Sequence, residues 1–154
     1  MEKTLILIKP DAFQRALVGT IIYRLEQKGL KIVASKMMQL NDEILDQHYS
    51  HLKDLVFFPE IKKFMSSGPV MAMAWEGCDA VQTVRTICGV TKAREANPGT
   101  IRGDFAMSIQ CNLIHASEDI EAAQKELKTF FEDADYFSYD LNNFSMIYAR
   151  DEQK

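Results

Sequence analysis

His115 is the residue whose surroundings most favour chemistry. It follows residues 108–114, which are predicted to form a strand, and precedes Ala116-Ser117-Glu118-Asp119, which predicts the start of a helix. The unpaired N–H groups and the dipole of a helix N-terminus stabilise negative charge and disfavour a protonated imidazole. A neutral imidazole at such a place is a candidate nucleophile that can accept a phosphoryl group.

Glu126 is the expected partner of this histidine. It lies on the apolar stripe of the predicted helix 117–131, where an unpaired buried carboxylate would be costly. The carboxylate would orient the imidazole of His115 as the third member of a catalytic triad orients its base. A histidine at a strand end is often structural, so the spacing alone leaves both interpretations open.

Any bound phosphate must be held by side chains, because the sequence has neither a G-x-x-x-x-G-K-[ST] loop nor a G-x-G-x-x-G loop. Lys9 follows the first predicted strand, and Arg85 lies near the end of a predicted helix. Thr91 and Arg102 lie in the polar segment 89–104, which is long enough to suggest a functional loop. Each cation can instead be a surface charge, and Phe57 can be a core residue or a stacking platform.

We expect no metal site built by the protein alone. His48 and His51 stand three residues apart, but no acidic or cysteine partner follows at ligand spacing. The three cysteines, Cys78, Cys88 and Cys111, are too widely spaced for a zinc site or a disulfide framework and are expected to be buried free thiols.

Composition limits the class of protein. The chain has 154 residues, 47% of them hydrophobic, which suits one soluble domain over residues 1–154. The net charge is −4 and no basic run occurs, so nucleic-acid binding is not supported. No apolar stretch approaches the roughly 20 residues of a membrane span. The absence of a signal peptide pattern predicts a cytoplasmic protein.

The elements that must position these residues alternate in type. Strands are predicted at residues 4–8, 30–40, 70–75 and 108–114, with a bulge near Met37 in the second. Helices are predicted at residues 18–28, between Asp79 and Gly89, and at residues 117–131. Capping-box spacing occurs at Asp11/Gln14 and at Asp79/Gln82, and a helical insert occupies residues 41–66. This order predicts a split βαβ arrangement, an antiparallel four-stranded sheet with helices on one face.

Several motifs together resemble the nucleoside diphosphate kinase family over residues 4 to about 148. They are Thr4-Leu5-Ile6-Leu7-Ile8-Lys9-Pro10-Asp11, Glu26-Gln27-Lys28-Gly29, Ser67-Gly68-Pro69-Val70, Trp75-Glu76-Gly77, Pro98-Gly99-Thr100-Ile101-Arg102-Gly103-Asp104-Phe105 and Asn112-Leu113-Ile114-His115-Ala116-Ser117. The resemblance implies an α+β, ferredoxin-like βαββαβ fold. It also implies a Mg²⁺-dependent ping-pong reaction, in which a nucleoside triphosphate phosphorylates a histidine and a second nucleoside diphosphate takes the phosphoryl group.

The resemblance also assigns roles to individual residues. His115 would be the nucleophile, with Lys9 beside it and with Ser117 and Glu126 steadying the imidazole. Phe57 would stack on the base between Ile61 and Ile109. The residues that would line the rest of the nucleotide are Lys9, Tyr49, Arg85, Thr91, Arg102 and Asn112. Lys9 and Asn112 would also reach the ribose hydroxyls.

The chain departs from the family pattern at a few positions. Ala12, Ala16 and Ala116 stand where glycines are common, and Glu118 stands where aspartate is usual. An alanine is strained only if its φ is positive, which the sequence does not decide. Thr91-Lys92-Ala93 lacks the Asn-Pro that commonly follows the threonine, in a loop that contributes to subunit contacts in the family.

Two further expectations concern assembly and an alternative function. The extension from about residue 135 to 154 resembles tails that pack on neighbouring subunits, which favours a homo-hexamer over a tetramer. The alternative function is a nucleotide-binding pseudoenzyme of the same fold, although the histidine and the phosphate-binding cations of an active enzyme are all present.

Overall fold

The computed structural model describes residues 1–152, so the last two residues of the predicted extension lie outside the described residues. Four strands form one antiparallel sheet: β1 (Glu2–Ile8), β2 (Lys31–Met38), β3 (Val70–Gly77) and β4 (Ile114–Ala116). Their order is β2-β3-β1-β4. The predicted α+β class and four-stranded antiparallel sheet are confirmed.

Within residues 1–152, eight α-helices connect or cover the strands. They are α1 (Pro10–Gln14), α2 (Val18–Gln27), α3 (Asp42–His48), α4 (Phe58–Met65), α5 (Ala80–Cys88), α6 (Ile101–Phe105), α7 (Ile120–Phe130) and α8 (Phe144–Ile147). The amphipathic helix α2 buries Ile21 and Leu25 and stops at Gly29, whose φ of 96° favours glycine. The long polar segment after α5 is less irregular than predicted, because it contains α6 and a 3-10 turn at Ala93–Glu95.

Both faces of the sheet are covered, so the expectation of helices on one face is wrong. Ile6 and Ile8 of β1 pack in the core that contains α2 and α5. Leu5 and Leu7 point the other way, into a second core with α3, α4 and α7. Because successive side chains of a strand alternate between faces, a strand apolar at every position needs a layer on each side.

The fourth strand differs most from its prediction. β4 covers only Ile114–Ala116, and residues 108–113 form turns instead of a strand. His115 therefore lies within β4, opposite Leu7 of β1, rather than at a strand end. Side chains of directly paired residues share one face of a sheet, so His115 points toward α7 and α3.

Several local predictions also need correction. The bulge in β2 lies between Ile32 and Ala34, not near Met37. Neither Asp11 nor Asp79 caps a helix with its side chain: α1 begins after Lys9, and Asp79 has a φ of 47°. Helix α7 begins at Ile120, where the Asp119 carboxylate accepts a hydrogen bond from the Ala122 N–H.

The structure shows how deeply the three cysteines are buried and which backbone conformation is adopted by the three alanines that replace common glycines. Cys88 is buried, but Cys78 is partly exposed and Cys111 is exposed, so the expectation of three buried thiols holds for one. Among the alanines that replace common glycines, Ala16 has a φ of 53°, a strained value for a residue with a Cβ. Ala12 lies in α1 and Ala116 in β4, where alanine is unstrained.

The C-terminal segment packs against the open edge of the sheet in its own chain. The Phe137 N–H donates to the Val33 carbonyl at 2.8 Å, and the Tyr139 hydroxyl donates to the Ile32 carbonyl at 2.6 Å. These bonds cover β2, an edge strand that would otherwise expose unpaired backbone groups. The resemblance had suggested contacts with neighbouring subunits for this segment.

Candidate active site

One cavity of about 730 Å³ brings together the residues singled out from the sequence. Its walls come from β4, from α3 to α7 and from the loops around residues 91 and 110. The predicted residues that line it are Lys9, Tyr49, Phe57, Ile61, Arg85, Thr91, Arg102, Ile109, Asn112, His115 and Glu126. Ser117, the remaining candidate, is buried behind Glu126.

A hydrogen-bonded chain fixes the imidazole of His115. Its Nε2 lies 3.2 Å from both carboxylate oxygens of Glu126, and the Ser117 hydroxyl donates to Glu126 Oε2 at 2.6 Å. Burial alone would raise the pKa of Glu126, but the hydrogen bonds and charges around it, those of His115 first, outweigh burial and lower it. An ionised carboxylate only accepts hydrogen bonds, so Nε2 carries a proton, and the lone pair of the neutral ring is then on Nδ1.

Lys9 and Asn112 form the polar floor of the cavity. The Lys9 ammonium donates to Asn112 Oδ1 at 2.6 Å, and the Asn112 amide donates to the backbone carbonyls of Thr91 and Ile109. Burial first, and then the charge of Arg102, lower the pKa of Lys9 to about 8. The ammonium is therefore held where its charge is poorly solvated, and an anion entering the cavity would stabilise it.

Arg102 and Arg85 hold their guanidinium groups differently. Arg102 is buried and donates to the carbonyls of Gly89 and Ile114, each at 2.6 Å. These bonds tie α6 to the end of α5 and to β4, next to His115. Arg85 is exposed on α5 and lines the cavity, so its guanidinium is accessible to a ligand.

A strained residue sets the position of β4. Leu113 is fully buried with a φ of 73°, a conformation that costs on the order of 1–3 kcal/mol for a residue with a Cβ. Its N–H donates to the Asp11 carboxylate at 3.1 Å, and its carbonyl accepts from the Lys9 N–H at 2.9 Å. These two bonds hold Leu113 in place and so align His115, two residues later, with α7.

The outer part of the cavity is apolar and aromatic. The Phe57 side chain is 53% exposed at the start of α4, and Ile109 is 60% exposed on the facing loop. The Gln110 side chain donates to the Glu60 carbonyl at 3.0 Å, which links that loop to α4. A planar aromatic ligand would fit between these walls, because an exposed phenyl face offers a stacking surface without edge-specific hydrogen bonds.

Sequence reasoning missed His48 as part of this site. Its ring meets that of His115 edge-to-face, with centroids 4.5 Å apart. Tyr49 also faces His115, and burial raises the pKa of the Tyr49 hydroxyl, which stays protonated. The sequence feature that could have indicated His48 is its position next to Tyr49, a predicted cavity residue. The sequence did not show that Glu126, which lies far along the chain, would be close to the His48 ring.

A carboxylate-oriented histidine beside buried cations, in a cavity with an aromatic mouth, defines a class of enzyme that handles phosphorylated ligands. The family model for nucleoside diphosphate kinase matches residues 2–136. The nucleoside diphosphate kinase of Parabacteroides distasonis is 52% identical over 152 residues, covering 99% of each chain. Nucleoside diphosphate kinase B of Bos taurus is 48% identical over 147 residues, covering 96% of this chain and 97% of its own.

A solved structure agrees with the fold. The halophilic nucleoside diphosphate kinase of Halobacterium salinarum, in complex with CDP, superposes with a TM-score of 0.93 at 44% identity. The match covers 96% of this chain and 98% of that one. The chain belongs to the nucleoside diphosphate kinase family, and it is a phosphotransferase with the ferredoxin-like fold of that family. Among residues 1–152, no helix is both long and apolar enough to cross a membrane.

Proposed function

We propose that the protein transfers the terminal phosphoryl group of a nucleoside triphosphate, typically ATP, to a nucleoside diphosphate through phosphorylated His115. Such a reaction would maintain the pools of GTP, CTP, UTP and the deoxynucleoside triphosphates. The observation that carries the proposal is the bond between His115 Nε2 and Glu126 at 3.2 Å, which leaves Nδ1 as the nucleophile.

The first half-reaction follows from this arrangement. The Nδ1 lone pair attacks the terminal phosphorus, the bond from phosphorus to the bridging oxygen breaks, and the nucleoside diphosphate leaves with that electron pair. The ring gains positive charge as the bond forms, and the ionised Glu126 stabilises that charge through Nε2–H. In the second half-reaction a terminal oxygen of another diphosphate attacks the same phosphorus, and Nδ1 recovers its lone pair.

Cations and polar groups position the phosphates. We assign Lys9, Arg85, Thr91 and Arg102 to the phosphates, and Lys9 and Asn112 also to the ribose hydroxyls. Phosphoryl transfer demands little covalent work from a protein, so positioning and stabilisation of the spreading charge supply most of the catalysis. Tyr49, buried beside His115, restricts the ring and lines the same cavity.

The base is held by stacking rather than by hydrogen bonds to its edges. Phe57 supplies the exposed aromatic face, with Ile61 and Ile109 as apolar neighbours. Every nucleobase has a π face, so this site accepts purines and pyrimidines alike. A site built on base-edge hydrogen bonds would discriminate between them. CDP in the Halobacterium salinarum relative supports a pyrimidine nucleotide as one ligand.

The donor set suits Mg²⁺ bound chiefly by the substrate. Glu126 is committed to His115 and Ser117, so Glu118 is the carboxylate of the cavity wall that remains to hold the ion through water. Mg²⁺ commonly uses one or two carboxylates together with substrate phosphates and retained waters. When bound, the ion would neutralise phosphate charge.

The test is intact mass measured after brief mixing with ATP and Mg²⁺. We expect a gain of one acid-labile phosphoryl group, lost on addition of GDP, in the parent but not in His115→Ala. The protein has three histidines, so His51→Gln at the cavity mouth is a matched control that should still be phosphorylated. No gain in the parent would support the nucleotide-binding pseudoenzyme instead, and a gain in His115→Ala would place the phosphoryl group elsewhere.

We also propose that residues 1–154 form one domain that assembles as a homo-oligomer, with a hexamer favoured over a tetramer. The extension from about residue 135 to 154, which resembles tails that pack on neighbouring subunits, supports this proposal. Three free cysteines are compatible with the reducing cytoplasm, the location we propose. A monomer in sedimentation at micromolar concentration would contradict the assembly.

A further inference from the structure

The imidazole of His48 is buried in the cavity wall, where its two ring nitrogens make no hydrogen bond with the described residues. Its side chain is 1% exposed, and neither Nδ1 nor Nε2 has a hydrogen-bond partner among the described residues. A buried polar atom without a partner costs about 1–3 kcal/mol. Such a group at an active site points to a ligand that the ring meets during function.

Two polar groups, the Glu126 carboxylate and the His115 ring, lie close to the imidazole of His48. His48 Nδ1 lies 3.8 Å from Glu126 Oε1, and His115 Nε2 lies 3.2 Å from that oxygen. One ligand atom from each of the three residues lies within 4.8 Å of the others. In a tetrahedral zinc site, bonds of 2.0–2.2 Å place ligand atoms about 3.3 Å apart, so small shifts would complete the geometry.

The chemistry of the three groups favours zinc over magnesium. Two imidazole nitrogens and one carboxylate oxygen are the ligands of open, three-ligand zinc sites, whereas Mg²⁺ prefers oxygen. A neutral imidazole offers a nitrogen lone pair to a metal without losing a proton.

We propose that His48, His115 and Glu126 bind one zinc ion in the nucleotide-free protein, and that this ion prevents phosphorylation of His115. The second part rests on the proposed function. Zinc on His115 Nε2 requires that nitrogen to be unprotonated, so the ring proton moves through solvent to Nδ1. The Nδ1 lone pair is then lost to the N–H bond and cannot attack phosphorus. Zinc also takes the carboxylate that would stabilise the charged ring.

Binding is tested without nucleotide. Metal-free protein in a phosphate-free buffer is titrated with Co²⁺, followed by visible absorption, and then with Zn²⁺ by calorimetry. We expect one site, whose Zn²⁺ affinity falls in His48→Phe by more than the roughly 10- to 100-fold that loss of a supporting residue costs. Phenylalanine keeps the edge contacts of this ring with Tyr49 and Phe130. Glu126→Gln is a second variant that should also lose affinity.

His51→Gln is the matched control, because it removes a neighbouring histidine of the same cavity that is not one of the three ligands. It should bind zinc as the parent does. No one-to-one binding in the parent, or equal affinity in parent and His48→Phe, would overturn the site. A loss confined to His51→Gln would overturn it too, because the zinc would then be bound at the mouth.

The second part of the proposal, that bound zinc prevents phosphorylation of His115, is tested separately. Zinc-loaded protein is mixed with ATP and Mg²⁺, with ATP below the protein concentration so that the nucleotide cannot strip the zinc. We expect no gain in mass until a chelator is added, and a normal gain in zinc-free protein. Phosphorylation of the zinc-loaded parent would overturn the exclusion. Failure of phosphorylation in zinc-free protein would overturn the proposed function and leave the binding result intact.

Discussion

Replacing Lys9 with methionine is predicted to stabilise the free protein while it impairs the enzyme. The Lys9 ammonium is held in the cavity floor, where burial and the charge of Arg102 disfavour its charged form. Methionine has a similar length and no charge, so Lys9→Met removes that cost. The same substitution removes a cation that we assign to the phosphates, so stability and activity should change in opposite directions.

The structure sets the size of the effect. The fall of the Lys9 pKa from 10.5 to about 8 corresponds to a cost on the order of 3 kcal/mol for folding with the lysine charged. Methionine also leaves the buried Asn112 Oδ1 without its donor at 2.6 Å, which costs about 1–3 kcal/mol. We therefore expect a net gain of up to about 2 kcal/mol in the free energy of unfolding at pH 7. For a chain of this size the midpoint of thermal unfolding then rises by up to roughly 4–8 °C.

The difference in stability between Lys9→Met and the parent should depend on pH. The pKa of Lys9 is lower in the folded than in the unfolded protein, so the unfolded state binds more protons between about pH 8 and pH 10.5. Lys9 therefore makes the parent more stable as the pH rises through this window, and Lys9→Met lacks that contribution. The advantage of the variant should be complete below about pH 8 and lost near pH 10.5, where only the cost of the missing bond to Asn112 remains and the variant should be the less stable protein.

The assay is urea unfolding at pH 7 and pH 10, at one protein concentration so that assembly contributes equally. Lys63→Met, at an exposed position of α4, is the matched control and should change stability little at either pH. A Lys9→Met variant less stable than the parent at pH 7, or an effect of equal size at both pH values, would show that the buried charge of Lys9 does not oppose folding.

Three further predictions concern the histidine, the base and the backbone. Glu126→Gln keeps hydrogen-bonding capacity beside His115 but loses the negative charge, which is worth about 1.5–3 kcal/mol. Phosphorylation of His115 should therefore slow roughly 10- to 100-fold in rapid-quench experiments, with little change in KM. An unchanged rate would contradict the role of the carboxylate. Phe57→Ala should weaken ADP, GDP and CDP binding alike by about 1–3 kcal/mol in calorimetry, whereas Phe57→Trp should not; a selective loss would indicate base-edge recognition. Ala16→Gly should raise the free energy of unfolding by about 1 kcal/mol because Ala16 has a φ of 53°, and Ala116→Gly in β4 should lower it.

The local patterns predicted the elements that depend on neighbours in the chain. The apolar run of β1 and the end of α2 at Gly29 each depend on residues that are adjacent in the sequence. The order of strands and helices could be predicted from such local patterns. The length of β4 did not follow, because it depends on a bond between Asp11 and Leu113, residues about a hundred positions apart. An apolar run cannot reveal that its backbone will turn through a positive φ.

The candidate site could also be predicted in part, because most of its residues belong to short sequence motifs. The residues of the cavity were named from motifs, and the structure brings them together. His48 was not assigned to it, because its contact with Glu126 joins α3 to α7 across the second face of the sheet. That face was itself missed, since the insert 41–66 has no clear period from which a packing surface could be inferred.

The unfavourable features of this fold gather around the cavity. Six buried side-chain atoms lack a hydrogen-bond partner among the described residues, and four of them belong to Asp11, His48 and Arg102. The poorly solvated charge of Lys9 and the positive φ of Leu113 lie in the same region. Strain and unpaired groups persist only where surrounding structure holds them, and here two apolar cores pack against β1 from opposite sides. Because a nucleotide would supply negative charge and acceptor oxygens to Lys9 and Arg102, binding would relieve costs that folding leaves in place. The cost that folding leaves at these residues is thus available to favour the ligand, which is why a substitution here that stabilises the empty protein should also weaken its function.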